Sequence, residues 1–315
     1  MSENLQSSFV ISIGCGTDQV PLIKAAQSLG LKVLGVDREN GRGLVDELIL
    51  ESTYDTTTVL ETLSRRKESK YVKGVLCRSS ARAVVTADAV ARLLSLPRCG
   101  SSVAQSSLSK SILYETSNQL DIPTIPILAL CDLDFTVDSF RCVVKPDIPK
   151  MGKKNVFLVG PNTLHAALIA AEADSLNSKA IIQPFVEGED VIVFAAFQFG
   201  KVIWYDLFSE KNKFVSTKIN HSGLAELSDE KYSDLEARLI PIAEGFAGSA
   251  RASGFVSFSF RIENNGNCFL YEVNPGLCGD EIAENFLPQR WHADFFKIDV
   301  AIMIGSTVPK INRKN

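Results

Sequence analysis

Between Gly254 and Gly279 the chain spells out a strand, a tight turn, a second strand and an abrupt stop, and no other stretch limits the fold as strongly. Phe255–Ile262 and Cys268–Val273 are alternating apolar runs. The Asn265-Gly266 pair between them is a strong hairpin signal, because a two-residue primed turn needs φ > 0 at both positions. That turn fixes a register in which Ser259 faces Glu272. Alternation puts Ser257, Ser259, Arg261, Glu272 and Asn274 on one face, and Val256, Phe258, Phe260, Tyr271 and Val273 on the other. A carboxylate and a carboxamide two residues apart on one strand are hard oxygen donors of the kind Mg²⁺ prefers. A hairpin whose polar face meets water is the other reading of this pattern. The Pro275-Gly276 stop directly after the pair favours the metal site.

A chain of 315 residues exceeds one compact core and implies two or three packed units. Its formal net charge of -4 argues against a dedicated nucleic-acid binder while leaving room for a local basic pocket. No apolar run reaches the roughly 20 residues needed to span a bilayer. The first residues lack the basic and apolar regions of a secretion signal. Seven scattered cysteines without CxxC spacing suit a reducing compartment. A cytoplasmic protein without membrane or nucleic-acid partners is the expectation.

The first third reads as strand and helix in alternation. Strands are expected over Phe9–Ile13, Leu31–Val36 and Val72–Leu76, with helices over Leu22–Leu29, capped by Gly30, and Ala81–Leu94. This order predicts a parallel sheet with ligands at the carboxyl ends of its strands. Gly14-Cys15-Gly16 with Asp37 downstream hints at a dinucleotide turn, but Gln19 occupies the third glycine position. A tight strand-to-helix turn without nucleotide is therefore preferred.

From Asp121 the character changes. Two prolines force Ile122–Ile127 to be extended, as in a connector to a new unit. Cys142–Pro146 is a strand ending in Lys145, and a basic loop with Lys150, Lys153 and Lys154 follows. Leu164–Ala173 is a helix, Ala180–Gly188 a strand and turn, Asp190–Phe208 a second hairpin, and Leu235–Ala252 an amphipathic helix. Lysines that neutralise a polyphosphate, followed by a carboxylate and an amide that hold its Mg²⁺, make a coherent set in this order.

That order resembles the ATP-grasp superfamily over nearly the whole chain. The resemblance implies an α/β three-layer N-terminal domain with a parallel sheet (1–105), then an α+β ATP-grasp fold of two subdomains with antiparallel sheets (106–180 and 181–315). It implies ATP and Mg²⁺ as cofactors. Lys110 and Lys145 match the family's basic residues facing the phosphates, and Lys150 and Lys153 lie in the loop that closes over them. Gln183, Phe185, Val186 and Asp190 match the adenine and ribose hinge, with the backbone C=O of Gln183 and N–H of Val186 reading adenine. His221-Ser222-Gly223 is similar to a turn near the phosphates, with Lys218 close by. Glu272 and Asn274 match the metal ligands. Lys145, Lys218 and Arg261 are the catalytic candidates, and Asp280, Glu281 and Arg290 the substrate candidates.

Three positions depart from the family pattern. Ser259 stands where most members carry an acid or Gln, the closing loop has one glycine, and Gly276 replaces an arginine after Asn-Pro. The resemblance implies a ligase that activates a carboxylate as an acyl-phosphate and joins it to an amine, releasing ADP and phosphate, with a homodimer as default. Three alternatives stay open: a carbamoyl-phosphate-synthetase-like enzyme acting on bicarbonate or carbamate, a non-catalytic ATP-binding protein, and an NAD-dependent dehydrogenase resting on Gly14-Cys15-Gly16 alone. For Asp280 and Glu281, capping of the next helix is the competing role.

Overall fold

The structure is a computed structural model that describes residues 8–39, 43–79, 82–130, 141–150, 155–215, 218–277 and 282–314. Its first unit is a parallel sheet of β1 (Phe9–Ile13), β2 (Lys32–Asp37), β3 (Glu47–Leu50) and β4 (Val72–Leu76) in the order β3-β2-β1-β4. Helix α1 (Val20–Ser28) follows β1, α2 (Thr56–Arg65) lies between β3 and β4, and α3 (Arg82–Leu93) follows β4, whereas β2 leads to β3 without a helix among the described residues. The central strands are near-continuous apolar runs because both faces are covered: Val10, Ile11, Ile13, Val33, Leu34 and Val36 are all buried. Gly30 ends α1 with φ +77°, as the sequence predicts.

Two further helices, α4 (Ser101–Leu108) and α5 (Lys110–Gln119), lead to the extended connector and then to β5 (Cys142–Pro146), β6 (Phe157–Val159), α6 (Pro161–Ala173) and β7 (Ala180–Pro184). The chain continues as β8 (Glu189–Gln198), β9 (Lys201–Val215), β10 (Lys218–Ala225), α7 (Asp229–Ser249), β11 (Gly254–Ile262) and β12 (Cys268–Pro275). All eight of these later strands form one sheet, β12-β11-β8-β9-β10-β6-β5-β7. Among the described residues its two halves are joined in the ladder where β10 meets β6, at the pair Lys218 and Phe157. One face of the larger half packs on α7 through Phe197, Phe246, Phe258 and Phe260. The opposite face carries Phe194, stacked on Phe255, and Trp204; Trp204 and Phe255 meet Phe295 of the last helix, α9, after the short α8 (Leu287–Arg290). Helix α9 (Phe295–Met303) also packs on α1 and β4. A side chain at Gly74 of β4 would sit 2.7 Å from the Met303 carbonyl oxygen, so the close approach requires glycine there. Residues 295–303 thus belong spatially to the first unit as much as to the last.

The β11–β12 hairpin reaches the expected register by an unexpected route. Gly266 N–H bonds the Glu263 carbonyl and Glu263 N–H bonds the Asn267 carbonyl, so the loop holds three residues rather than two. Of the two turn residues only Gly266 has positive φ, +93°. This shifts Ile262 opposite Cys268 and Phe260 opposite Leu270. A bulge then inserts Tyr271, and beyond it Ser259 faces Glu272 and Ser257 faces Asn274. The extra turn residue and the extra strand residue cancel. Tyr271 is the side chain that moves: expected on the apolar face with Val273, it reaches the polar face, where its hydroxyl donates to Glu210 Oε2 at 3.4 Å.

Candidate functional site

The polar residues of the large sheet line up in cross-strand rows. Arg261 of β11 lies beside Asp190 of β8, which lies beside Glu210 of β9. One row further along, Glu272 lies beside Ser259 and Ile192. Then Asn274 lies beside Ser257 and Phe194. Period-two alternation on antiparallel strands is what gathers them on one face.

Within the first row, Arg261 grips Asp190 with its fork: Nε is 2.9 Å from Oδ1 and Nη2 donates to Oδ2 at 3.1 Å. Arg261 Nη1 also donates to the Gly188 carbonyl at 3.1 Å. Asn212 donates to Asp190 Oδ2 at 2.7 Å and to Glu210 Oε2 at 3.3 Å. Asp190 and Glu210 are buried carboxylates held in place by this network. Arg261, expected to meet a donor carboxylate or act in catalysis, instead positions Asp190. Burial pushes the Tyr271 phenol well above its ordinary pKa, helped by the carboxylates of Asp190, Glu210 and Glu272, so it stays a neutral donor. Glu210, Asn212 and Tyr271 were missed by sequence reasoning. Alternation along β9 from Asp206 would have pointed to Glu210 and Asn212, whereas only the bulge reveals Tyr271.

The smaller half of the sheet supplies the facing wall. Lys145, nearly buried on β5, has its ammonium 6.0 Å from the centre of the Tyr271 ring, which brings the two halves together. Next to it, Asp147 accepts from Ser109 Oγ, Ser111 N–H and Asn177 Nδ2 at 2.7–2.8 Å. Burial opposes ionisation of Asp147, but the hydrogen bonds together hold its pKa below the usual value. With Lys110 N–H donating to the Asp147 carbonyl, this fixes Lys110 at the start of α5 next to the strand of Lys145. The connector stitches both walls: Thr124 Oγ1 donates to the Leu270 carbonyl at 2.6 Å, and Gln183 Nε2 donates to the Ile125 carbonyl at 2.7 Å.

Register corrects the expected role of Gln183. Phe185 N–H bonds the Arg141 carbonyl, and Gln183 pairs with Val143 two residues along, so the Gln183 carbonyl is turned into the β5 ladder. On the opposite edge the Ile182 carbonyl accepts from Leu128 N–H, and alternation turns the Pro184 carbonyl to that same side. The ring of Phe185 lies between the guanidiniums of Arg141 and Arg261, at 4.9 and 6.0 Å, and Val186 is half-buried after it.

Other predicted residues lie elsewhere. Lys150 donates to the Ala173 carbonyl at 2.7 Å and so caps the carboxyl end of α6, where the helix dipole favours a cation. Arg290 is buried and occupied: Nε lies 3.1 Å from Asp206 Oδ2, Nη2 donates to Asp206 Oδ1, and Nη1 lies 3.2 Å from Glu226. Asp206 also accepts from Trp291 Nε1 at 2.8 Å. Arg290 is therefore a structural tie between α8 and β9 and not a substrate ligand. His221 and Lys218 fall within β10, where the register shifts between His221 and Gly223, rather than in a free turn. Lys153, Asp280 and Glu281 lie outside the described residues.

The Gly14–Gly16 turn is closed to a dinucleotide. Gln19 packs against it, its Cδ 3.3 Å from where a Gly14 Cβ would stand, and donates to the Arg78 carbonyl. Asp37 accepts from Cys15 N–H at 2.7 Å. Arg78, also missed from the sequence, bonds the Leu277 and Asp18 carbonyls and the Glu284 carboxylate, and so fastens the first unit to the segment after Asn274-Pro275.

No family model matches the sequence, and no curated protein does. Solved structures do. ADP-bound N5-carboxyaminoimidazole synthetase from Staphylococcus aureus superposes with a TM-score of 0.74 at 13% identity, over 98% of this chain and 80% of that one. The chain has the ATP-grasp fold. The L-amino acid ligase of Bacillus licheniformis gives 0.71 at 16% identity, over 95% and 74%. The biotin carboxylase domain of Hydrogenobacter thermophilus 2-oxoglutarate carboxylase, solved with MgADP and bicarbonate, gives 0.70 at 12%, over 96% and 71%. Lys145 and the rows that hold Asp190 and Glu272 come together where the Lys145 ammonium approaches the Tyr271 ring.

Among the described residues, no group of three His, Cys, Asp or Glu side chains could hold a metal on its own. Glu272 and Asn274, opposite two serines, fit an ion that takes most of its oxygen shell from phosphates and water, which is how Mg²⁺ binds with nucleotides.

Proposed function

We propose that the chain is an ATP-dependent ligase that activates a small carboxylate as an acyl-phosphate and joins it to an amine. The observation that carries this reading is the juxtaposition, in an ATP-grasp fold, of Lys145 with the β12 strand that bears Glu272 and Asn274. Similarity to a ligase for L-amino acids supports an amino acid or similar small molecule as substrate. The Pro184 carbonyl and Val186 N–H read the adenine, and Asp190, oriented by Arg261, accepts from the ribose hydroxyls. Lys145 and Lys110 neutralise the phosphates, and Glu272 and Asn274 hold Mg²⁺, which supplies charge stabilisation for the phosphoryl group in transfer. Catalysis is then positioning and electrostatics, and no nucleophilic side chain is required.

The division at 105/106 and 180/181, with α9 returning to the first unit, is the domain reading that goes with this function. A second reading, ATP binding without turnover, is favoured by Ser259 and Gly276, since a hydroxyl is a poor ligand beside a carboxylate. ADP release measured with Mg²⁺, ATP and pooled amino acids separates the two. The ligase requires release that depends on the pool and disappears in Lys145→Met. Bicarbonate-dependent release without amino acids would replace it with the carbamoyl-phosphate-type reaction, and ATP binding without release across a broad panel would replace it with the binding protein.

A further inference from the structure

The carboxyl edge of the first sheet carries a group of side chains that the nucleotide cleft does not use. Tyr54 follows β3, Arg38 follows β2, and Arg82 opens α3 after β4. The Arg82 guanidinium carbon lies 4.8 Å from the Tyr54 ring centre and that of Arg38 lies 5.8 Å from it. Arg82 Nη2 donates to the Tyr54 carbonyl at 3.2 Å. Thr56 and Thr86 bond through their hydroxyls at 2.7 Å, which ties α2 to α3 and sets Tyr54 beside Arg82.

Two guanidiniums are held against one ring, and among the described residues neither forms an ion pair with a carboxylate. Of the neighbouring acids, Asp55 caps α2 by accepting from Thr58 N–H and Oγ1, and Asp37 holds Cys15 and Glu39 N–H groups. Tyr54 itself is 42% exposed and belongs to none of the apolar clusters among the described residues, so its ring serves as a platform for cations and not as core. Stacking leaves the in-plane N–H groups of a guanidinium free to donate, in the fork geometry that suits carboxylate or phosphate oxygens. The position fits a ligand as well. Open parallel sheets bind ligands outside the carboxyl ends of their strands, which is the edge where these three residues lie.

We propose that Arg38, Tyr54 and Arg82 form an anion subsite on the first sheet that takes a carboxylate or phosphate group of a small molecule. The subsite stands on its own residues and does not depend on the ligase reading. Its recognition is charge-assisted hydrogen bonding from two guanidiniums, pre-oriented by one aromatic ring. No covalent step is involved.

The experiment is a titration of full-length, isotope-labelled protein with inorganic phosphate or malonate at constant ionic strength, with chloride as the control. The NMR signals of the Arg Nε–Hε groups are followed in wild type, Arg82→Gln and Tyr54→Leu. Saturable shifts of the Arg38 and Arg82 signals are expected with phosphate or malonate and not with chloride, and the tighter of the two probes identifies the source of the anion. Arg82→Gln is expected to weaken binding about tenfold or more while the other amide signals stay in place. Tyr54→Leu is expected to weaken it less, by releasing the two guanidiniums. Linear shifts without saturation, equal response to chloride, or unchanged affinity in Arg82→Gln would each overturn the proposal. None of these outcomes bears on ATP binding.

Discussion

Asp299 lies in the middle of α9, 4% exposed, against a cavity of about 40 Å³ between the first sheet and the end of β12. The cavity has room for about one water. Its carboxylate accepts from the Phe255 N–H, and among the described residues it forms no ion pair with a cation. The one guanidinium on the cavity wall, Arg98, is matched by Asp88, which it bonds at 2.9 and 3.0 Å. Burial therefore pushes the Asp299 carboxyl from 3.8 up to about 7, with the Phe255 hydrogen bond opposing. Because the folded value lies above the unfolded one, the native state disfavours the ionised form. Stability is highest below the unfolded value and is lost as pH rises towards 7. At about 1.36 kcal/mol per pH unit the full loss is about 4 kcal/mol, of which about 2.5 kcal/mol develops between pH 5 and 8. Asp299→Asn keeps an acceptor for Phe255 N–H and removes the charge. Urea unfolding of both proteins at several pH values should show the stability difference moving in favour of the variant by that amount between pH 5 and 8. A difference that stays constant across the range would refute the reasoning.

Removing Arg290 leaves Asp206, which is fully buried, with Trp291, Tyr232 and a backbone N–H as its remaining donors among the described residues. Arg290→Met should cost about 3–5 kcal/mol in urea unfolding, and Asp206→Asn on top of it should restore part of the loss; no loss in the single variant would show that the pair is dispensable. Gly188 has φ +151°, and a Cβ there would stand 1.9 Å from the Ile262 carbonyl oxygen. Gly188→Ala should therefore push β8 from β11 and lower stability by about 3 kcal/mol or more, measured by thermal unfolding, whereas a neutral result would mean the turn can rearrange freely.

Much of the architecture could be read from local pattern. The apolar runs at Phe9–Ile13 and Val72–Leu76 are strands with those bounds, and Gly30 stops α1. The pairing of Ser259 with Glu272 was legible too, although for an incomplete reason, since a three-residue loop and a bulge offset one another. What escaped was decided by tertiary partners. Nothing local to Arg290 distinguishes a buried tie to Asp206 from a ligand-binding arginine, and the partners are 84 residues apart. The same holds for Arg261 with Asp190, and for Lys150, whose carbonyl acceptor lies 23 residues away. The ladder phase that turns the Gln183 carbonyl towards Val143 depends on pairing that a single strand does not encode. Strand β10 hid behind His221-Ser222-Gly223, which reads as a turn because a register shift interrupts its alternation.

On the proposed function, the space between Lys145 and Glu272 binds MgATP. The assay is calorimetric titration of ATP into wild type and Glu272→Ala, with and without Mg²⁺, with Glu61→Gln on the exposed face of α2 as the control. Mg²⁺-dependent binding is expected for wild type and the control, and weakening of at least about tenfold in Glu272→Ala. Absence of ATP binding in the folded wild type, or equal Mg²⁺-dependent affinity in Glu272→Ala, would contradict it.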